Sequence, residues 1–194
     1  MTQKVDTHIQ GMAAEDTFVK MAKRREYSIT HATKNQNIRE HTDVYITKNN
    51  VSMAIDIKSA KRENRSGQIQ DEWHVLEFIA VTYPKSNYIT LKKTLFDPLI
   101  PDFSIGSGRN GWLYGKATHI AFELQYVFLI VPRINLIDFS SQNIEFSKFA
   151  QFPQQAKYCV YSRDGRGDLI SYVHKKDLYQ LSVEKWYKPI LINV

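Results

Sequence analysis

The chain has 194 residues, 43% hydrophobic and 24% charged, with 26 basic against 20 acidic residues for a formal charge of +6 and a pI near 9.3. That length is enough for one sizeable core, and the composition is that of an ordinary folded protein. A single cysteine, Cys159, excludes an intrachain disulfide and a cysteine-based zinc site, and the longest apolar run, Tyr126 to Pro132, is too short to span a bilayer.

Residues from about Ile9 to Arg25 read as a first helix, because Met12, Ala13, Phe18, Val19 and Ala22 recur at helical spacing. Glu15 shares that apolar face with Phe18 and Val19. Either it sits at the edge of the stripe bonded to a lysine, or it looks across at an acidic cluster further on. Lys20, Lys23, Arg24 and Arg25 close the helix, where they suit its negative end and are also placed to meet phosphate. A short strand is expected over Tyr27 to Thr33, followed by a polar connection, KNQNIRE.

The stretch HTDVYITKNNVSMAIDIKSAK, His41 to Lys61, reads as two strands joined at Asn49-Asn50. Strand side chains alternate faces, so Asp56 and Lys58 point the same way. A hairpin returns its ends to one place, which brings Asp43 back near Asp56. Two carboxylates and an ammonium then converge at its open end. Such a set offers hard oxygen ligands for Mg²⁺ and a lysine to orient or help deprotonate water. A surface hairpin whose charges happen to alternate is the plain alternative.

After Lys58 the chain turns polar, SAKRENRSGQIQDE, and reads as a mobile basic loop carrying Lys61, Arg62 and Arg65. It is either a solvated loop or one that tracks a nucleic-acid backbone. Glu72 to Val81 reads as a strand with Glu77 inside an otherwise apolar row, as a polar end of the sheet or a further acidic group of the site. His74 is read as structural or substrate-contacting. Tyr83 to Gly111 is long, Pro- and Gly-rich and weakly patterned, as functional insertions often are; its glycines lack the Gly-Lys-Ser/Thr of a phosphate-binding loop. THIAFE and YVFLIV read as two strands around a turn near Leu124-Gln125, the second buried. A helix is expected within Arg133 to Phe149, then strands in AKYCVYSR and DLISYVH around the turn Asp164-Gly165-Arg166-Gly167. A last helix is expected over Lys175 to Trp186, with KPILINV as an edge strand.

A glutamate on the first helix (Gly11, three residues, Glu15), an aspartate opening a strand (Asp43), twelve further residues and then Asp56-Ile57-Lys58 ending the next strand resemble the PD-(D/E)XK nuclease superfamily. The resemblance covers about residues 9 to 81. It implies an α/β fold with a central mixed β-sheet flanked by helices, restriction-endonuclease-like. It implies a Mg²⁺-dependent nuclease, with Mn²⁺ as a substitute cation. Asp43 and Asp56 look like the metal ligands, Lys58 like the catalytic lysine, and Glu15 like the acidic residue that the first helix contributes. Thr42 stands where many members carry proline.

Residue by residue, the expected site is therefore Asp43, Asp56, Lys58 and Glu15, with Glu15 or Glu77 completing the metal set of Asp43 and Asp56. Lys61, Arg62, Arg65 and Arg109 are the expected phosphate contacts, and Trp73, Trp112 and Tyr114 either stack on a base or pack in the core. The expected organisation is one nuclease-like domain over residues 1–194, its core about 9–150, with 151–194 packed on or extending it. The partner implied is nucleic acid, DNA ahead of RNA, with a homodimer open and no membrane. The opening MTQKVDTHIQGMAAED is too polar for a signal peptide, so a cytoplasmic location is expected, the host's cytoplasm if the chain is phage-encoded. A non-catalytic nucleic-acid-binding module, a protein-interaction subunit and an enzyme acting on another phosphate ester stay open. No nucleophile elbow and no zinc spacing of histidines is present in the sequence.

Overall fold

The computed structural model describes residues 7–62, 68–82, 108–163 and 167–189. They form an α/β protein whose central, mixed, six-stranded sheet is flanked by helices. The chain divides into two compact units interleaved in sequence, Met1–Trp73 with Lys116–Asn135 and Lys175–Val194, and His74–Gly115 with Leu136–His174.

The first unit opens with helix α1 (Thr7–Arg24), which buries Ala14, Phe18, Met21 and Ala22. The helix ends in a Schellman turn. Tyr27 N–H donates to the Ala22 carbonyl at 3.1 Å, Glu26 N–H donates to the Lys23 carbonyl at 2.9 Å, and Glu26 takes a left-handed φ of 65°. Strand β1 (Ser28–His31) follows, then a π-helical turn (Gln36–Glu40), then β2 (Val44–Lys48) and β3 (Val51–Lys58). Asn49 and Asn50 both have positive φ, 52° and 63°, so the β2–β3 link is a two-residue turn of the type that matches strand twist.

Across the sheet the strand order is β1-β2-β3-β8-β9-β13, where β8 is His119–Glu123, β9 is Val127–Pro132 and β13 is Glu184–Tyr187. Only the β3–β8 pair is parallel among these neighbours; the rest are antiparallel. One face carries Val44, Ile46, Ile55, Ile57, Ala121, Phe128, Ile130 and Trp186, which pack with α1 into a single core. Phe18 is the centre of that contact, stacked on Trp186 with centroids 4.9 Å apart and edge-on to Phe128 at 5.5 Å. Burial of such a ring stabilises by about 1.5–3 kcal/mol. A short helix, α3 (Lys175–Leu181), packs on β9.

Two expectations are corrected in this unit. The basic stretch after Lys58 is not loop throughout, because β4 (Lys61–Arg62) pairs antiparallel with β5 (Ile69–Gln70). The last helix does not reach Trp186. It stops at Leu181, Val183 N–H donates to the Ile130 carbonyl at 2.9 Å, and Glu184–Tyr187 joins the sheet beside β9. Burying Trp186 in the core outweighs continuing the helix. The expected edge strand over Ile190–Val194 lies outside the described residues.

In the second unit a three-stranded sheet runs β12-β6-β7, with β6 at Trp73–Thr82, β7 at Gly108–Asn110 and β12 at Leu169–His174. Helix α2 (Arg133–Asn143) leads into β10 (Glu145–Phe149), which pairs parallel with β11 (Cys159–Val160). Leu76, Phe78, Leu113, Val160, Ile170 and Val173 are fully buried. Most of the long Pro- and Gly-rich segment, 83–107, and the turn residues 164–166 lie outside the described residues. Among the described residues no helix is long and apolar enough to cross a membrane.

Candidate functional site

Strand β2 begins one residue after Asp43, and the paired register ends at Val44↔Ile55, which leaves Asp43 at the open end of the hairpin beside β3. Asp43 is fixed at both ends of its peptide unit: its N–H donates to the Ile55 carbonyl at 2.9 Å, and its own carbonyl accepts from Ala32 N–H at 2.9 Å. Its side chain is held as firmly. Oδ2 accepts the Ile57 backbone N–H at 2.6 Å, and Oδ1 accepts from Asn37 Nδ2 at 2.5 Å.

Ile55 and Ile57 belong to the core beneath α1, so alternation turns Asp56 and Lys58 to the other face of β3. Asp56 is 2% exposed. Lys58 Nζ stands 2.7 Å from Asp56 Oδ1 while its own side chain keeps 27% exposure. The lysine can therefore neutralise a buried carboxylate and still reach solvent.

The carboxyl groups of Asp43 and Asp56 lie close enough to interact electrostatically. Burial, and then the charge of Asp56, push the Asp43 carboxyl up from 3.8 to about 6; the Ile57 N–H and Lys58 oppose this without cancelling it. Two acids this close cannot both ionise cheaply. A proton between them, or a cation, relieves the repulsion.

Glu15 is half-buried on α1, whose stripe packs on the Ile55 and Ile57 face. Glu77, in β6 of the second unit, is ion-paired with Arg163 at 3.6 Å, and Arg163 also engages the buried Asp168. Among the described residues, no three His, Cys, Asp or Glu side chains gather closely enough to hold a metal ion. Asp43 and Asp56 thus form a pair of carboxylates.

Of the expected phosphate contacts, Lys61 is exposed at the start of β4, while Arg62 is half-buried against Glu123 at 3.3 Å. Arg65 lies outside the described residues, and for Arg109 only its place in β7 is described. Trp112 is buried, and Tyr114, half-buried, packs beside Phe78 with its hydroxyl pushed up to about 12 by burial. His74 is also buried.

Two residues near the site escaped the reading of the sequence. Asn37 sits in a polar connection with no periodicity to single it out. Glu123 ends β8 and is 3% exposed. It accepts from Ala60 N–H at 3.0 Å, from Arg62 at 3.3 Å and from Lys188 at 2.7 Å. It anchors the chain two residues beyond Lys58.

The fold and this acidic pair define a class, an α/β protein with two facing carboxylates and a lysine at the end of a hairpin in a mixed sheet. No family model matches the chain, and no curated protein does. A solved structure to which it is similar is that of a bacterial homing endonuclease, I-Ssp6803I, at 11% identity over 69% of this chain and 73% of that one, with a TM-score of 0.40.

Proposed function

We propose that the protein is a Mg²⁺-dependent nuclease of the PD-(D/E)XK, restriction-endonuclease-like type, hydrolysing phosphodiester bonds in nucleic acid, DNA ahead of RNA. The observation that carries this reading is the Asp43–Asp56 pair with Lys58 2.7 Å from Asp56. The donor set suits a hard divalent cation, which prefers oxygen ligands and retains waters where protein ligands are few. It also suits one electrostatically, because a cation offsets the repulsion between the two acids.

Asp43 and Asp56 would hold the ion. When bound, Mg²⁺ or Mn²⁺ supplies polarisation of the phosphodiester and stabilises the charge that develops on it. Lys58, partly exposed beside the pair, would hold the attacking water by donating to it, and its positive charge would stabilise the hydroxide left when the water's proton passes to solvent. For Glu15 the proposed role is indirect, through water. Lys61, at the mouth of the β4–β5 ribbon, meets backbone phosphate, and Arg62 adds positive field from its place beside Glu123. A homodimer would supply the second site needed to cut both strands of a duplex, and the proposed setting is the cytoplasm.

The test is cleavage of linear, circular, single- and double-stranded substrates with Mg²⁺, with Mn²⁺ and with chelator, comparing wild type and Asp56→Asn. Cleavage by wild type alone, abolished by chelator, is expected. Metal-independent binding with no cleavage of any substrate would replace the reading with a non-catalytic nucleic-acid-binding module.

A further inference from the structure

Asn37 occupies the second position of the π-helical turn Gln36–Glu40, a kind of irregularity that is frequent at functional sites. The turn is braced from several directions. Gln36 Oε1 accepts from Thr33 N–H at 2.8 Å and from the Thr33 hydroxyl at 2.9 Å. Gln36 Nε2 donates to the hydroxyl of Tyr45, two residues beyond Asp43, at 3.1 Å. The Asn37 N–H donates to the Thr33 carbonyl at 2.9 Å, and His41 closes the segment with a left-handed φ of 51°. On the far side, Lys116 N–H donates to the Glu40 carbonyl at 2.7 Å and its ammonium pairs with the Glu40 carboxylate at 2.9 Å.

This bracing has one consequence for the acidic pair. Asp43 Oδ2 is held by a backbone group, the Ile57 N–H, which no side-chain substitution removes. Oδ1 is held by Asn37, an exposed side chain otherwise free of any packing duty in the core. An ionised carboxylate only accepts hydrogen bonds, so the amide must present its N–H side to Asp43. With one donor on each oxygen, the plane of the carboxylate cannot rotate about its last bond. Each oxygen has a further lone pair for a cation.

We propose that Asn37 is a positioning residue of the cation site, holding the Asp43 carboxylate in the orientation in which it binds a divalent ion. This rests on the reading of Asp43 and Asp56 as metal ligands and adds a residue outside the helix, strand and lysine pattern that suggested them. Groups that orient a metal ligand typically contribute about 10–100-fold to metal affinity. The turn is built to place this amide: remove the Thr33–Gln36–Tyr45 bracing and the amide is one of many exposed polar groups.

The experiment is calorimetric titration of Mn²⁺ alone into the metal-free full chain at pH 7.5, for wild type, Asn37→Ala, Asn37→Ser and Asp43→Asn, with Tm recorded for each. We expect Asp43→Asn to lose binding and Asn37→Ala to weaken it about tenfold or more with Tm unchanged. Where alanine lowers Tm, Asn37→Ser is the variant read, since it keeps a polar side chain in the same turn. Wild-type affinity in both Asn37 variants, alongside loss in Asp43→Asn, would overturn the role of Asn37 and leave the metal site standing. Mn²⁺ binding unchanged in Asp43→Asn, or absent from wild type, would overturn the metal site itself and Asn37 with it.

Discussion

Asp43 and Asp56 stand together at the open end of the β2–β3 hairpin, where burial and the charge of Asp56 push the Asp43 carboxyl up to about 6. Three local features serve that juxtaposition: apolar alternation that buries one face, a two-residue turn that joins the strands, and a backbone N–H of Ile57 that donates to the Asp43 carboxylate.

The raised Asp43 carboxyl has a signed effect on stability. The folded state binds this proton more tightly than the unfolded chain, whose carboxyl titrates near 3.8. The contribution is therefore fully present below about pH 4 and is lost as pH rises through about 6. Asp43→Asn escapes that loss. Without metal, its Tm should exceed that of wild type by a few degrees at pH 7.5, with the difference shrinking towards pH 4. Divalent cations should reverse the order, stabilising wild type alone, and wild-type Mn²⁺ affinity should strengthen between pH 5 and 7 as the competing proton leaves. Thermal denaturation of both proteins against pH, with and without Mn²⁺, checks each part.

Glu123 should prove expensive to remove. Truncation to alanine strips the Ala60 N–H, Arg62 and Lys188 of a shared, 3%-exposed acceptor. Breaking such a buried charge network costs roughly 3–5 kcal/mol. Urea unfolding of Glu123→Ala should show a loss of that order. Glu123→Gln, which keeps an acceptor for Ala60, should lose less.

Gly111 tolerates no side chain. A Cβ there would lie 2.2 Å from the Glu77 carbonyl oxygen and 2.7 Å from the Phe78 carbonyl carbon. The backbone cannot retreat without giving up the bond from Gly111 N–H to the Phe78 carbonyl, 2.9 Å. Gly111→Ala should destabilise by about 1–3 kcal/mol or more, as insertions that force the backbone to shift do. Calorimetric unfolding or soluble yield reads it directly.

The β2–β3 turn is open to improvement. Asn50 sits at φ 63°, in the second central position of a turn for which Asn-Gly is the favoured pair. Asn50→Gly should raise Tm slightly, because glycine takes a positive φ without steric cost at this position, an effect partly offset by the greater freedom of glycine in the unfolded chain. Its activity should match wild type, since the turn lies at the far end of the hairpin from Asp56.

The parts of this fold legible in the sequence are those where one local pattern suffices. Alternation over Val44–Lys58 with Asn49-Asn50 between gives the hairpin and the meeting of its two aspartates, and the helical stripe of Phe18, Val19 and Ala22 gives α1. What stayed hidden depends on distant partners. KKDLYQLSVEKW has helical spacing throughout, and only the Ile130 carbonyl and the ring of Phe18 pull its second half into a strand. Lys61–Arg62 reads as loop until Ile69–Gln70 comes back beside it. Glu123 looks like the polar end of a strand, because its three donors come from residues 60, 62 and 188. Asn37 carries no pattern at all; only the π-helical turn places its amide on Asp43.

In the proposed division of labour, Asp43 and Asp56 would hold a divalent cation and Lys58 would act on water. Its most direct test is the single-turnover cleavage rate of Lys58→Ala on DNA at saturating Mn²⁺, beside wild type, in a variant shown to fold and to bind the ion. The account predicts a fall of about 10²–10⁴-fold with Mn²⁺ binding retained. A variant that binds Mn²⁺ and cuts at the wild-type rate would contradict it.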